Sequence, residues 1–173
     1  VQVVRDESQL AAYVARFPAG ETIILQELID WPHEAGLMWV RYPHQPRGRI
    51  VSITLKEFPA VVGDGERTLE ALIDADERAS ILAEVYKPRH ADRLAEVPAA
   101  GERVPLVFAG NHCKGTIFRN GRDILTDELE AAMDRVGLSM PQFYFGRVDV
   151  RFRDLASFRR GEHFRLVEIN GAG

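Results

Sequence analysis

Two segments near the end of the chain hold oxygen and cation side chains at spacings that can do chemistry. They are Phe145-Gly146-Arg147-Val148-Asp149-Val150-Arg151 and Phe164-Arg165-Leu166-Val167-Glu168-Ile169-Asn170-Gly171. Each reads as a strand, and residues two apart on a strand share a face. Glu168 and Asn170 therefore point the same way, and Asp149 can face them from a neighbouring strand at cross-strand distance. Three hard oxygen donors converging in this way suit Mg²⁺, which keeps waters and takes further ligands from phosphates. The same residues also read as an ordinary strand-end charge and a turn into Gly171. Against that plain reading, an Asp between Val148 and Val150 is unfavourable in a strand and needs a partner or a metal.

The elements that must position these residues follow from the rest of the chain. Val1–Val4 reads as a short strand. A helix capped by Asp6 or Ser8 runs to about Ala15. Strands are predicted over Thr22–Leu28, Ala35–Tyr42 and Arg49–Glu57, the last alternating cleanly, and their short links predict an antiparallel meander. Thr68 caps a helix over Leu69–Ala75. Residues 76–100 read as helix and irregular chain, broken at Pro88 and Pro98. Val104–Phe108 and Gly115–Phe118 read as strands, and Asn120-Gly121 as a turn. Thr126 caps a helix through Val136 with Leu129, Ala132, Met133 and Val136 on one side. The mixture is α+β with a mostly antiparallel sheet and flanking helices.

Composition narrows the function classes. The 173 residues are 46% hydrophobic and 28% charged, with a net charge of −4. That fits a soluble domain without a basic face for nucleic acid. No apolar run approaches the ~20 residues that span a bilayer. The single cysteine, Cys113, excludes an internal disulfide and fits a reducing, cytoplasmic setting. The five histidines show no metal-ligand spacing.

The motifs resemble those of the ATP-grasp superfamily, in particular its carboxylate–amine ligases of the D-alanine–D-alanine ligase and cyanophycin synthetase kind. Gly146-Arg147-Val148-Asp149-Val150 is similar to that family's Gly-Arg-Ile-Asp-Val strand, and Leu166-Val167-Glu168-Ile169-Asn170 to its Leu-x-Glu-x-Asn strand. Gln26-Glu27-Leu28-Ile29 with Glu34 resembles its nucleotide hinge. Val62-Gly63-Asp64-Gly65 with Thr68 resembles a further segment of the cyanophycin-synthetase-like members.

The resemblance implies a reaction in which ATP activates a carboxylate as an acyl phosphate. An amine then takes the acyl group, giving an amide and ADP. It implies ATP and Mg²⁺ as cofactors, with Mn²⁺ as a substitute ion, and small carboxylate and amine substrates. Neither nucleic acid nor membrane is implied as a partner, and the family admits a homodimer. Asp149, Glu168 and Asn170 become the metal ligands and Arg147 the catalytic cation. Gln26, Glu27, Leu28 and Ile29 would meet adenine, Glu34 the ribose and Lys56 the phosphates, while Arg41, Asn111 and Lys114 are substrate-side candidates. Residue by residue, Arg147 also reads as a plain counter-ion to Asp149, and Lys56 and Glu34 as solvated strand residues.

The expected organisation is a partial ATP-grasp domain. Residues 1–30 are the end of an N-terminal subdomain with the adenine hinge, and residues 31–173 are the C-terminal subdomain. The family's lid lysine and glycine-rich loop would precede Val1, so the chain reads as a piece of a longer protein, inactive or weakly active alone. The alternative is a degenerate ATP-grasp module that binds a nucleotide or a partner without catalysis.

Overall fold

A computed structural model describes residues 2–110 and 112–171. The chain divides into two compact units, Val1–Asp30 and Trp31–Gly173. In the first, helix α1 (Glu7–Val14) starts where the Asp6 carboxylate accepts from the Gln9 N–H at 2.8 Å. Residues 2–4 and 21–30 have no regular secondary structure. The strands expected at Val1–Val4 and Thr22–Leu28 are therefore not formed over residues 2–4 and 22–28, Val1 lying outside the described residues, and the three-strand meander is not built. A β-branched run becomes a strand only where a neighbour takes its N–H and C=O groups, and among the described residues Thr22–Leu28 joins no strand ladder.

The second unit is built on a five-stranded antiparallel sheet. Its strands are β1 (His33–Val40), β2 (Arg49–Glu57), β5 (Ile117–Asn120), β6 (Phe145–Phe152) and β7 (Phe164–Gly171), in the order β5-β2-β1-β6-β7. A small two-stranded antiparallel sheet of β3 (Ala60–Val62) and β4 (Arg103–Pro105) stands apart. Helices α2 (Leu69–Ala75), α3 (Ala83–Tyr86), α4 (Asp127–Leu138) and α5 (Leu155–Arg159) complete the unit. α2 and α4 begin at the expected caps, where Thr68 Oγ1 accepts from the Ala71 N–H and Thr126 Oγ1 from the Leu129 N–H. The chain between Glu77 and Arg93 breaks into short helical turns around Pro88. Gly121 has φ −105° and opens a 3₁₀ turn, so the Asn-Gly pair makes no tight hairpin.

Strand alternation separates the sheet into two chemical faces. On one face, cross-strand rows bring together Ala35, Leu55 and Val150, then Leu37, Ile53 and Val148. These pack with Leu129 and Met133 of α4 and Phe158 of α5 into the main core. Phe158 stacks on Phe152 with ring centroids 4.2 Å apart. Trp39 is fully buried, and Gly137 of α4 makes room for it: a Cβ there would lie 2.5 Å from Trp39 Cζ2. A second apolar cluster joins Val61, Leu69, Leu72, Ile73, Tyr86, Val104 and Leu106.

Candidate functional site

The opposite face of the sheet carries the chemistry in three cross-strand rows. The first runs Lys56, Glu34, Arg151; the second Thr54, Gly36, Asp149, Glu168; the third Ser52, Met38, Arg147, Asn170. The register of β7 shifts at the Asp149/Val150 step, so that Leu166 pairs with Val150 and Glu168 with Asp149. Past this bulge Glu168 and Asn170 share the polar face with Asp149 and Arg147, the residues they pair with.

Between these rows, charges of opposite sign touch. Lys56 Nζ lies 2.6 Å from Glu34 Oε1 and 3.0 Å from Asp149 Oδ2. Arg147 Nε donates to Asp149 Oδ1 at 2.8 Å and its Nη2 to Oδ2 at 3.3 Å. Arg151 Nε donates to Glu34 Oε2 at 3.4 Å. The side chains of Glu34, Lys56, Asp149 and Arg151 are 4–6% exposed, whereas that of Arg147 is 48% exposed. Lys56 reaches diagonally from the first row to the second, and Gly36 leaves room for the Arg147–Asp149 pair. A Cβ on Gly36 would stand 2.9 Å from Asp149 Oδ1 and 3.1 Å from Arg147 Cδ. Oriented by its neighbours, the Asn170 amide donates from Nδ2 to Glu168 Oε1 at 2.9 Å and accepts at Oδ1 from Arg147 Nη2 at 3.3 Å.

The structure thus brings Arg147, Asp149, Glu168, Asn170, Lys56 and Glu34 onto one surface. Glu34 and Lys56 are sealed into ion pairs and do not stand open as strand-rim groups. Glu168 and Asn170 are exposed on the edge strand beside the buried Asp149. Among the described residues, no group of three His, Cys, Asp or Glu side chains is arranged to hold a metal. The expected donor set instead combines two carboxylates with an amide, and both Asp149 oxygens accept from cations. Arg41 and Lys114 lie toward opposite ends of the sheet. Arg41 follows the Val40 end of β1 with its guanidinium 4.6 Å from the Tyr144 ring centroid. Lys114 precedes β5 near the Glu57 end of β2, its carbonyl accepting from the Tyr86 hydroxyl. Asn111 lies outside the described residues. Gln26, Glu27, Leu28 and Ile29 belong to the first unit, in its stretch without regular structure.

Arg151 escaped the sequence reading. A buried charge between Val150 and Phe152 is as costly as Asp149 between two valines, and the same rule would have singled it out. Its guanidinium donates to the Trp31 carbonyl at 3.2 Å and to the Phe108 carbonyl, and lies 4.2 Å and 5.2 Å from the Phe108 and Phe58 ring centroids.

Comparison with known protein families finds no match, and comparison with curated proteins finds no relative. Among solved structures, the chain is similar to a bifunctional glutathione synthetase from Pasteurella multocida, with 15% identity and a TM-score of 0.45. The match covers 81% of this chain and 20% of that one, so the chain spans about a fifth of its length. A likeness this distant transfers no activity. Among the described residues, no helix is long and apolar enough to cross a membrane.

Proposed function

We propose that this chain supplies the metal–nucleotide surface of an ATP-grasp carboxylate–amine ligase. In this reading ATP converts a carboxylate to an acyl phosphate, an amine attacks it, and ADP is released. The observation that carries the reading is the β6–β7 register, which sets Asp149 opposite Glu168 and Arg147 opposite Asn170. The two motifs that resemble the family thereby meet on one face.

The donor set fits a hard divalent ion. Asp149, Glu168 and Asn170 would hold Mg²⁺, whose contribution is to neutralise phosphate oxygens. Arg147 stands half-exposed beside them. Its planar, permanently charged fork can leave Asp149 for a phosphoryl oxygen without changing protonation. Lys56 serves as the buried counter-charge to both Asp149 and Glu34, so Glu34 is assigned to the ion network instead of the ribose. Residues 1–30 would end the N-terminal subdomain, with Gln26–Ile29 as the adenine seat.

Calorimetry of the protein with Mg²⁺ and a non-hydrolysable ATP analogue tests this reading. Affinity should fall roughly tenfold or more in Asp149→Asn and in Glu168→Gln, since loss of even a partner that orients a metal ligand costs about 10- to 100-fold. Unchanged affinity in both variants would overturn it. A second reading is favoured by one observation: both Asp149 oxygens are already satisfied by Lys56 and Arg147. On that reading the chain is a nucleotide-binding or interaction module without chemistry. No ADP would then be released with any pairing of amino acids offered as acid and amine.

A further inference from the structure

We infer that Arg151 is a positioning residue that holds Lys56 Nζ against Asp149, acting through Glu34. The two ends of Glu34 are engaged in opposite directions, Oε1 by Lys56 from β2 and Oε2 by Arg151 from β6. A lysine in this position would ordinarily carry its ammonium out to water along its flexible stem. Here it is 6% exposed and directed inward. What fixes its partner is Arg151. That guanidinium is anchored on several sides: Glu34 at one edge, the Trp31 and Phe108 carbonyls at others, and the Phe58 and Phe108 rings close by. The segment after Phe108 also bears on the lysine stem, since a Cβ on Gly110 would lie 3.3 Å from Lys56 Cδ and 2.9 Å from Phe58 Cε1. One arginine therefore ties β6, the start of β1 and the Phe108 segment to a single ammonium position.

The consequence for metal and nucleotide binding rests on the ligase reading; the clamp itself does not. The chain has three lysines, Lys56, Lys87 and Lys114, so amine labelling can be read residue by residue. Native-state reductive methylation, followed by mass spectrometry, is the experiment. It would be run on the wild type, Arg151→Met, Arg151→Lys and Glu34→Gln, each well below its thermal midpoint. Lys56 should be protected in the wild type. Relative to Lys87, its labelling should rise roughly tenfold in Arg151→Met and in Glu34→Gln, because local opening becomes easier. Arg151→Lys should recover part of the protection, since it restores the charge without the fork. A merely structural role would lower the midpoint without changing the Lys56 to Lys87 ratio, and that result in folded protein overturns the inference. If Arg151→Met does not fold, the ratio in Glu34→Gln and Arg151→Lys decides in the same way. Mg²⁺ with an ATP analogue is then titrated into the same proteins. Loss of affinity together with Lys56 exposure supports both readings. Lys56 exposure in proteins that never bind nucleotide, the wild type included, supports the clamp and removes the ligase reading.

Discussion

Asp149 shows how a single residue carries both stability and chemistry. It is 3% exposed and is held by one buried and one half-exposed cation. Replacing it with alanine leaves Lys56 buried with one partner fewer. Breaking a buried pair from one side costs about 3–5 kcal/mol, far more than the net worth of the intact pair. Asp149→Ala should therefore destabilise by about 3 kcal/mol in urea unfolding, and Asp149→Ala with Lys56→Met should recover part of the loss. The sequence made Asp149 conspicuous because a charge inside Val148-Asp149-Val150 demands a partner. It did not disclose the partners. Lys56 and Glu34 lie some ninety and more than a hundred residues away in the chain, and both are buried only because distant strands bring them together with Arg151. Side-chain period places a residue on a face; only the fold says whether that face is covered.

At the scale of elements, caps and alternation were legible, and pairing was not. α2 and α4 start where Thr68 and Thr126 announce them, since a cap is a local bond between a side chain and a backbone N–H three residues on. α5 falls between the last two strands and was not anticipated. Its cap is Asp154, whose carboxylate accepts from the Ser157 N–H at 2.8 Å and from the Ser157 hydroxyl. The backbone bond first, and then the hydroxyl, hold this carboxyl below its ordinary value of 3.8. A depressed carboxyl stabilises the fold fully above its unfolded pKa of about 4, and the contribution fades as pH falls through the native value. The stability gap between the wild type and Asp154→Ala should thus be full at about pH 6 and shrink as pH falls below about 4, read from urea midpoints.

Gly137 in α4 sets two effects against each other. Alanine would raise helix propensity by about 1 kcal/mol. Its Cβ would also meet the fully buried Trp39 ring at 2.5 Å, and overpacking costs about 1–3 kcal/mol. Packing wins, so Gly137→Ala should lower the melting temperature although it sits in a helix. The sequence marked Thr22–Leu28 as a strand on the same apolar pattern as true strands. That pattern cannot tell a segment that joins a strand ladder from one that does not.

For the whole molecule, the α+β class and the antiparallel sheet were readable from composition and alternation, whereas the order β5-β2-β1-β6-β7 was not. The order decides everything about the site, because it inserts β1, an early strand, between β2 and β6. It also puts two apolar clusters in one unit, with the ion network on the sheet face away from the main core. Local sequence has no means of stating which distant strand will be a neighbour.

That strand order has a consequence for the chain as it is made. β1 and β6 are neighbours in the finished sheet, yet roughly 110 residues separate them, or about 6–20 s of synthesis at ordinary elongation rates. Until then Leu37, Trp39 and Ile53 on the β1–β2 hairpin await the α4 residues that cover them, and Glu34 and Lys56 await Asp149 and Arg151. The nascent hairpin is a sticky intermediate with half of a charge network and half of a core. Truncations ending before residue 127 should accumulate as aggregates or on chaperones, while a chain reaching residue 171 should be recovered in the supernatant. Comparing the pelleted fraction across a nested set of stop codons would find the point in translation at which the sheet closes.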